Sequence, residues 1–144
     1  MYLCGIKWYD QKTMFIGEHT HTVDEKNRFS LPAKFRKDLG KKVVVTRGKD
    51  RCLVLYPHKT WLEISSEVKQ KGHVESDQKY ARFTFSGASE IEIDSIGRIL
   101  IPEFLRDFAE LKNTIVLTGV HDKVEIWNDK KWATYRRKLE SEFA

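Results

Sequence analysis

The sequence predicts a mainly β chain with helices, built from one small unit used twice. Three observations carry this: a repeat at constant spacing, apolar residues alternating with a period of two inside it, and turn residues between the alternating segments. Asp24-Glu25-Lys26-Asn27-Arg28 and Asp94-Ser95-Ile96-Gly97-Arg98 share the pattern Asp-x-x-x-Arg, 70 residues apart. At the same spacing Phe15 matches Phe85, Gly17 matches Gly87, Pro32 matches Pro102 and Arg36 matches Arg106. Val23 with Ile93, Phe29 with Ile99, Leu31 with Ile101 and Phe35 with Leu105 keep it too. A core pattern that recurs in this way implies that each half buries a face against the other.

Residues 1–13 lie outside the repeat, and Met14 is a candidate start of the native chain. The first unit is expected over 14–69, a connecting segment over 70–84 and the second unit over 85–144. Each unit opens with a short strand, Thr20–Val23 or Ile91–Ile93, then a tight turn and a second strand, Arg28–Leu31 or Arg98–Ile101. Phe29 and Leu31 alternate with Arg28 and Ser30, which puts the arginine on the face away from the core. Pro32 and Pro102 end these strands and can open helices at their first turn, predicted over Ala33–Leu39 and Glu103–Leu111. Two hairpins follow, Val43–Thr46 with Leu53–Tyr56 and Ile115–Thr118 with Val124–Trp127. Gly48-Lys49-Asp50 and Gly119-Val120-His121-Asp122 form their loops. A longer amphipathic helix closes each unit, over 59–71 with Trp61, Ile64 and Val68 on one face, and over 130–143 with Trp132, Tyr135, Leu139 and Phe143. Asn128 suits the N-cap of the latter. Trp61 and Trp132, at matched positions, are expected in the core or against another subunit. Asp77–Arg82 in the connection is a further candidate helix.

At 144 residues, with 40% hydrophobic and 33% charged residues, the composition is that of a soluble globular protein. No stretch is long and apolar enough to span a membrane or to act as a signal peptide. Cys4 and Cys52 have neither disulfide-framework nor metal-ligand spacing, so a reducing cytosol is expected. The net charge of +5 is unevenly spread. Residues 15–61 hold eleven basic and five acidic side chains, whereas the matching window 85–132 holds six and nine. A positive surface confined to one half suits a polyanionic partner.

The Asp-x-x-x-Arg turn has a definite chemistry. Its Asp can accept hydrogen bonds from backbone N–H groups further along the turn. Asn27 and Gly97, in the fourth position, both tolerate positive φ. The Arg then leaves the turn on the solvent face, oriented by its Asp. Its guanidinium fork suits phosphate oxygens or a guanine edge. Lys26, Lys34 and Arg36 add positive charge in the first half, so loss of Arg28 is expected to matter far more than loss of Arg98. His19 and His21 lack a third metal ligand nearby and are expected to pack. No cluster of acid, base and nucleophile emerges, no phosphate-binding loop is present, and no cofactor is expected.

Met14-Phe15-x-Gly17-Glu18, His21 through Arg36 and Glu92 through Pro102 resemble the MraZ family, and Val124-Glu125-Ile126-Trp127 fits the same pattern. The likeness runs over roughly 14–143. One departure is Asn27, where the family usually has the glycine that Gly97 retains. The resemblance implies two tandem AbrB-like swapped-hairpin units forming a small closed β-barrel with pseudo-twofold symmetry. It further implies a bacterial regulator at the nucleoid, bound to double-stranded DNA at tandem repeats upstream of division and cell-wall genes. The same likeness implies a homo-oligomeric ring. The DNA-facing residues carried over are Asp24, Arg28, Asp94 and Arg98. With the charge argument and the turn residues, the candidate site comprises Asp24, Lys26, Asn27, Arg28, Lys34, Arg36, Asp94, Gly97 and Arg98. An antitoxin-like module whose main partner is a protein is the alternative on the same fold.

Overall fold

The computed structural model describes residues 14–70 and 75–144 and the backbone of two short paired strands, β1 (Tyr2–Leu3) and β2 (Ile6–Lys7). The rest of the expected 1–13 extension lies outside the described residues, as do 71–74 of the connection.

The first unit runs β3 (Glu18–Thr22), β4 (Arg28–Ser30), α1 (Ala33–Leu39), β5 (Lys42–Arg47), β6 (Leu53–Pro57) and α2 (His58–Gln70). After α3 (Glu75–Ser86), the second repeats it as β7 (Ser89–Glu92), β8 (Arg98–Leu100), α4 (Glu103–Ala109), β9 (Thr114–Val120), β10 (Lys123–Asn128) and α5 (Asp129–Phe143). Pro32 and Pro102 stand at the N-caps of α1 and α4, where a missing N–H costs nothing. Gly40, at φ 81°, and Glu110, in the left-handed conformation at φ 54°, end those helices, each donating its N–H back to Arg36 O or Arg106 O. Asn128 caps α5 by accepting hydrogen bonds from the Lys130 and Lys131 amides at 3.0 and 3.1 Å.

Six strands form one antiparallel sheet in the order β3-β9-β10-β6-β5-β7, and β4 pairs with β8 in a separate two-stranded ribbon. Exchanging each first-unit strand for its second-unit counterpart reverses the sheet order and leaves it otherwise unchanged. The pseudo-twofold axis passes between β6 and β10 and between Phe29 and Ile99 of the ribbon. The units exchange strands: β3 of the first pairs with β9 of the second, and β7 of the second with β5 of the first.

Three expectations are corrected here. The fold is mixed α/β rather than mainly β, because α2, α3 and α5 run 13, 12 and 15 residues. No closed barrel forms among the described strands. β3 and β7 end the sheet on opposite edges, and β4 and β8 leave it after their turns to pair only with each other. Phe15 and Phe85 are also not equivalent. Phe15 is buried in the core, whereas Phe85 belongs to α3 and packs edge-on against Trp61 at 5.6 Å.

The main core lies between one sheet face and the layer of β4, β8, α1 and α4. Phe29, Leu31 and Phe35 meet Ile99, Ile101 and Leu105 there, over Val43, Val45, Leu53, Leu55, Ile115, Leu117, Val124 and Ile126 of the sheet. The opposite sheet face buries Cys52, Val54, Tyr56, Val116 and Trp127 beneath Trp61 and Ile64 of α2 and Trp132 and Tyr135 of α5. Every residue of β6 is therefore buried, as the unbroken apolar run Leu53–Tyr56 demands of a strand covered on both sides.

Helix α3 is longer than the expected Asp77–Arg82, and its last turn is fixed from a distance. Arg47 donates to Phe83 O from Nε at 3.1 Å and from Nη2 at 2.8 Å, and to Ser86 Oγ at 2.6 Å. Thr46 Oγ1 donates to Thr84 O at 2.5 Å.

Candidate nucleic-acid interface

Both Asp-x-x-x-Arg segments fold into the same closed turn. In the first, Asp24 N donates to Arg28 O at 2.8 Å and Asn27 N donates to Asp24 O at 3.0 Å. Asp24 Oδ1 accepts from the amides of Lys26 and Arg28, each at 2.9 Å, and Arg28 Nε donates to Oδ2 at 3.3 Å. In the second, Asp94 Oδ1 accepts from Ile96 N at 3.1 Å and Arg98 N at 2.8 Å, while Arg98 Nε donates to Oδ2 at 2.9 Å. Asn27, at φ 63°, and Gly97, at φ 84°, take the positive-φ position the sequence assigned them.

These bonds also set the charge. The Arg28 amide, helped by the Lys26 amide, holds the Asp24 carboxyl below its ordinary value, and the Arg98 amide does the same for Asp94. Each arginine engages its aspartate through Nε, so the terminal nitrogens of the fork are not spent on that bond.

Pairing of β4 with β8 brings the two turns onto one surface. Arg28 lies opposite Leu100, Phe29 opposite Ile99 and Ser30 opposite Arg98. Phe29 and Ile99 face the core, so Arg28, Ser30, Arg98 and Leu100 share the other face of the ribbon. Arg98 Nη1 stands 3.9 Å from Asp24 Oδ2, linking the two turns across the pseudo-twofold.

The antiparallel pairing has a consequence that position along the chain conceals. The second turn lies beside the β4–α1 junction of the first unit. Leu31 N donates to Gly97 O at 2.9 Å, and Arg36 Nη1 donates to Ile96 O at 3.1 Å. The guanidinium of Arg36 fills the space where a Cβ on Gly97 would stand. Its repeat mate Arg106 instead donates to Ile101 O at 3.0 Å, within its own unit. Asn27 thus replaces glycine in the turn over which Arg106 does not reach.

The nine expected residues divide in this way. Asp24, Asn27, Arg28, Asp94, Gly97 and Arg98 form the paired turns, and Lys26 is exposed in the first turn. Arg36 is bound beneath the second turn. Lys34 lies apart, with Nζ 5.9 Å from the Phe35 ring centroid and beside Gly17 and His19. His19 packs edge-on to Phe35 at 5.0 Å, and burial, then the Lys34 charge, lowers its pKa. Burial, then His19, lowers that of His21. Two members of the ribbon face, Ser30 and Leu100, were not singled out from the sequence. Their signal is the cross-unit register, which a single strand does not display.

The two units differ at three exposed positions. At the repeat spacing, Lys26, Ser30 and Lys34 are replaced by Ile96, Leu100 and Phe104. The latter are 59%, 50% and 52% exposed, so these are apolar residues outside the core.

The model of one protein family, described as "MraZ protein, putative antitoxin-like", matches residues 14–83 and again 84–144. "Transcriptional regulator MraZ" of Natranaerobius thermophilus is 45% identical over 131 residues, covering 90% of this chain and 92% of that protein. The proteins of the same name from Moorella thermoacetica and Clostridium tetani are 42% and 44% identical, covering 90% and 85% of this chain and 92% and 87% of theirs. A solved chain titled "The solution structure of PHS018" from Pyrococcus horikoshii aligns with a TM-score of 0.33 at 18% identity, over 76% of this chain and 95% of that one, too slight a likeness to bear on the fold. Among the described residues no helix is long and apolar enough to cross a membrane.

Proposed function

This chain belongs to the MraZ family of non-enzymatic transcriptional regulators, and from that premise we propose that it binds double-stranded DNA sequence-specifically through the β4–β8 ribbon. The observation that carries the reading is the pairing of both Asp-x-x-x-Arg turns on one surface, with Arg98 Nη1 3.9 Å from Asp24 Oδ2. A major groove about 12 Å wide admits a two-stranded ribbon. Arg28 and Arg98 then reach base edges or phosphates, with Lys26 on the backbone and Asp24, Asp94, Asn27 and Gly97 shaping the turns. Arg36 acts as a positioning residue for the second turn, and Lys34 as a peripheral phosphate contact.

The strand exchange between units supports an AbrB-like swapped-hairpin architecture, with units at 14–69 and 85–144 joined by 70–84. A single ribbon offers few base contacts. A homo-oligomeric ring meeting successive tandem repeats supplies the missing affinity through effective concentration, and this is the assembly we assign to the regulator at the nucleoid. Its targets are repeats upstream of division and cell-wall genes. Genomic fragments retained by the purified chain, sized together with the complex by sedimentation, test the proposal. Recovery of tandem repeats on an oligomer supports it. Stoichiometric capture of one protein, with no DNA retained, overturns it in favour of an antitoxin-like module.

A further inference from the structure

The two ends of the ribbon carry different chemistry. Beside Arg98 the partner strand presents Ser30; beside Arg28 it presents Leu100. Leu100 is 50% exposed although its neighbour Ile99 is buried, so packing does not explain a leucine there. Serine serves at the symmetry-related position, so the strand itself does not require an apolar side chain.

Side chains directly opposite on an antiparallel pair stand about 4.5–5.5 Å apart at Cβ. Base pairs stack about 3.4 Å apart. An arginine and a leucine held in this way address neighbouring base pairs at once. The apolar feature of the major groove is the 5-methyl group of thymine, and aliphatic side chains make that contact.

We infer that Leu100 is a specificity residue that contacts the methyl group of a thymine next to the base pair addressed by Arg28. This rests on the DNA-binding reading above. The Arg98 end, with Ser30 in the matching place, makes no such contact. The ribbon therefore reads an asymmetric sequence despite its near-symmetric backbone, which gives the bound chain a direction along direct repeats.

The test uses DNA selected from a random pool by the full-length chain. Each thymine of one repeat is replaced singly by deoxyuridine, which removes the methyl and leaves base pairing intact. Binding is measured by gel shift for the unaltered chain and for Leu100→Ser. One thymine is expected whose replacement weakens the unaltered chain about fourfold, the worth of one buried methyl-sized group. The same replacement should leave Leu100→Ser unmoved, while salt-dependent binding to the pool persists. The inference is overturned if no thymine separates the two proteins while both bind the selected DNA. It is equally overturned if Leu100→Ser changes the assembly's sedimentation without changing methyl dependence, which makes Leu100 a subunit contact. Failure of the chain to select any DNA overturns the DNA-binding reading itself.

Discussion

Arg36, on helix α1 of the first unit, donates through Nη1 to the carbonyl of Ile96 in the turn of the second, at 3.1 Å. This bond joins the basic helix to the turn carrying Arg98, in the half of the chain whose own charge is negative. Charge summed along the sequence therefore misplaces the electrostatics of the two turns.

Arg28 and Arg98 are accordingly expected to contribute comparably to DNA binding. Arg36, held beside the second turn, offsets the positive charge that Lys26 gives the first. Each single change to alanine should weaken binding by about 5- to 150-fold, the range of about 1–3 kcal/mol for a good base contact. Gel shifts at one fixed salt concentration check this, and a silent Arg98→Ala contradicts it.

Gly97→Ala should destabilise the fold more than Asn27→Ala. A left-handed backbone costs an alanine about 1–2 kcal/mol, and at position 97 the Arg36 guanidinium also occupies the space of the new methyl. Adding Arg36→Ala should recover part of the loss, giving a non-additive double-mutant cycle in urea unfolding. Equal costs at both positions, or strict additivity, count against the packed arrangement.

The two turns should hold their shape from neutral pH down to mild acid. Asp24 and Asp94 have folded pKa values below the unfolded value of 3.8. Their contribution is therefore complete well above pH 3.8 and is lost as pH falls through the lower, folded values. Thermal melts between pH 7 and pH 2 should show Asp24→Asn and Asp94→Asn with a shallower acid loss than the unaltered chain. Identical acid limbs would mean that neither carboxylate is used as described.

Leu55→Ala should cost about 2–5 kcal/mol, measured by urea unfolding. Leu55 is wholly buried and sits on β6 between β5 and β10, where the two units meet. A loss below about 1 kcal/mol would contradict the placement of the main core.

Much of this architecture was legible beforehand because its causes are local. Alternation of Phe29 and Leu31 with Arg28 and Ser30 marks a strand with one buried face, and an Asp with Asn or Gly three residues on marks the turn. The runs Val43–Thr46 and Leu53–Tyr56 about Gly48-Lys49-Asp50 mark a hairpin, and Asn128 marks a helix start. What escaped depends on partners distant in sequence. The pairing of β4 with β8 alone, away from the six-stranded sheet, gives an open sheet with a separate ribbon in place of a barrel. The last turn of α3 is held by Arg47, from outside that helix. The bond from Arg36 to Ile96 spans the two units, so the spacing of Arg36 in its own unit marks it as a candidate contact and hides its supporting role. The place of Leu100 is hidden for the same reason, since only the β4–β8 register puts it beside Arg28.

The central claim is that the solvent face of the β4–β8 ribbon is where this regulator meets DNA. Nuclease protection of genomic fragments by the unaltered chain and by the Arg28→Ala/Arg98→Ala double variant tests it most directly, at matched concentration and salt. The unaltered chain is predicted to protect a run of tandem repeats, and the double variant none, while both unfold at the same temperature. Protection of the same repeats by both proteins would contradict the account.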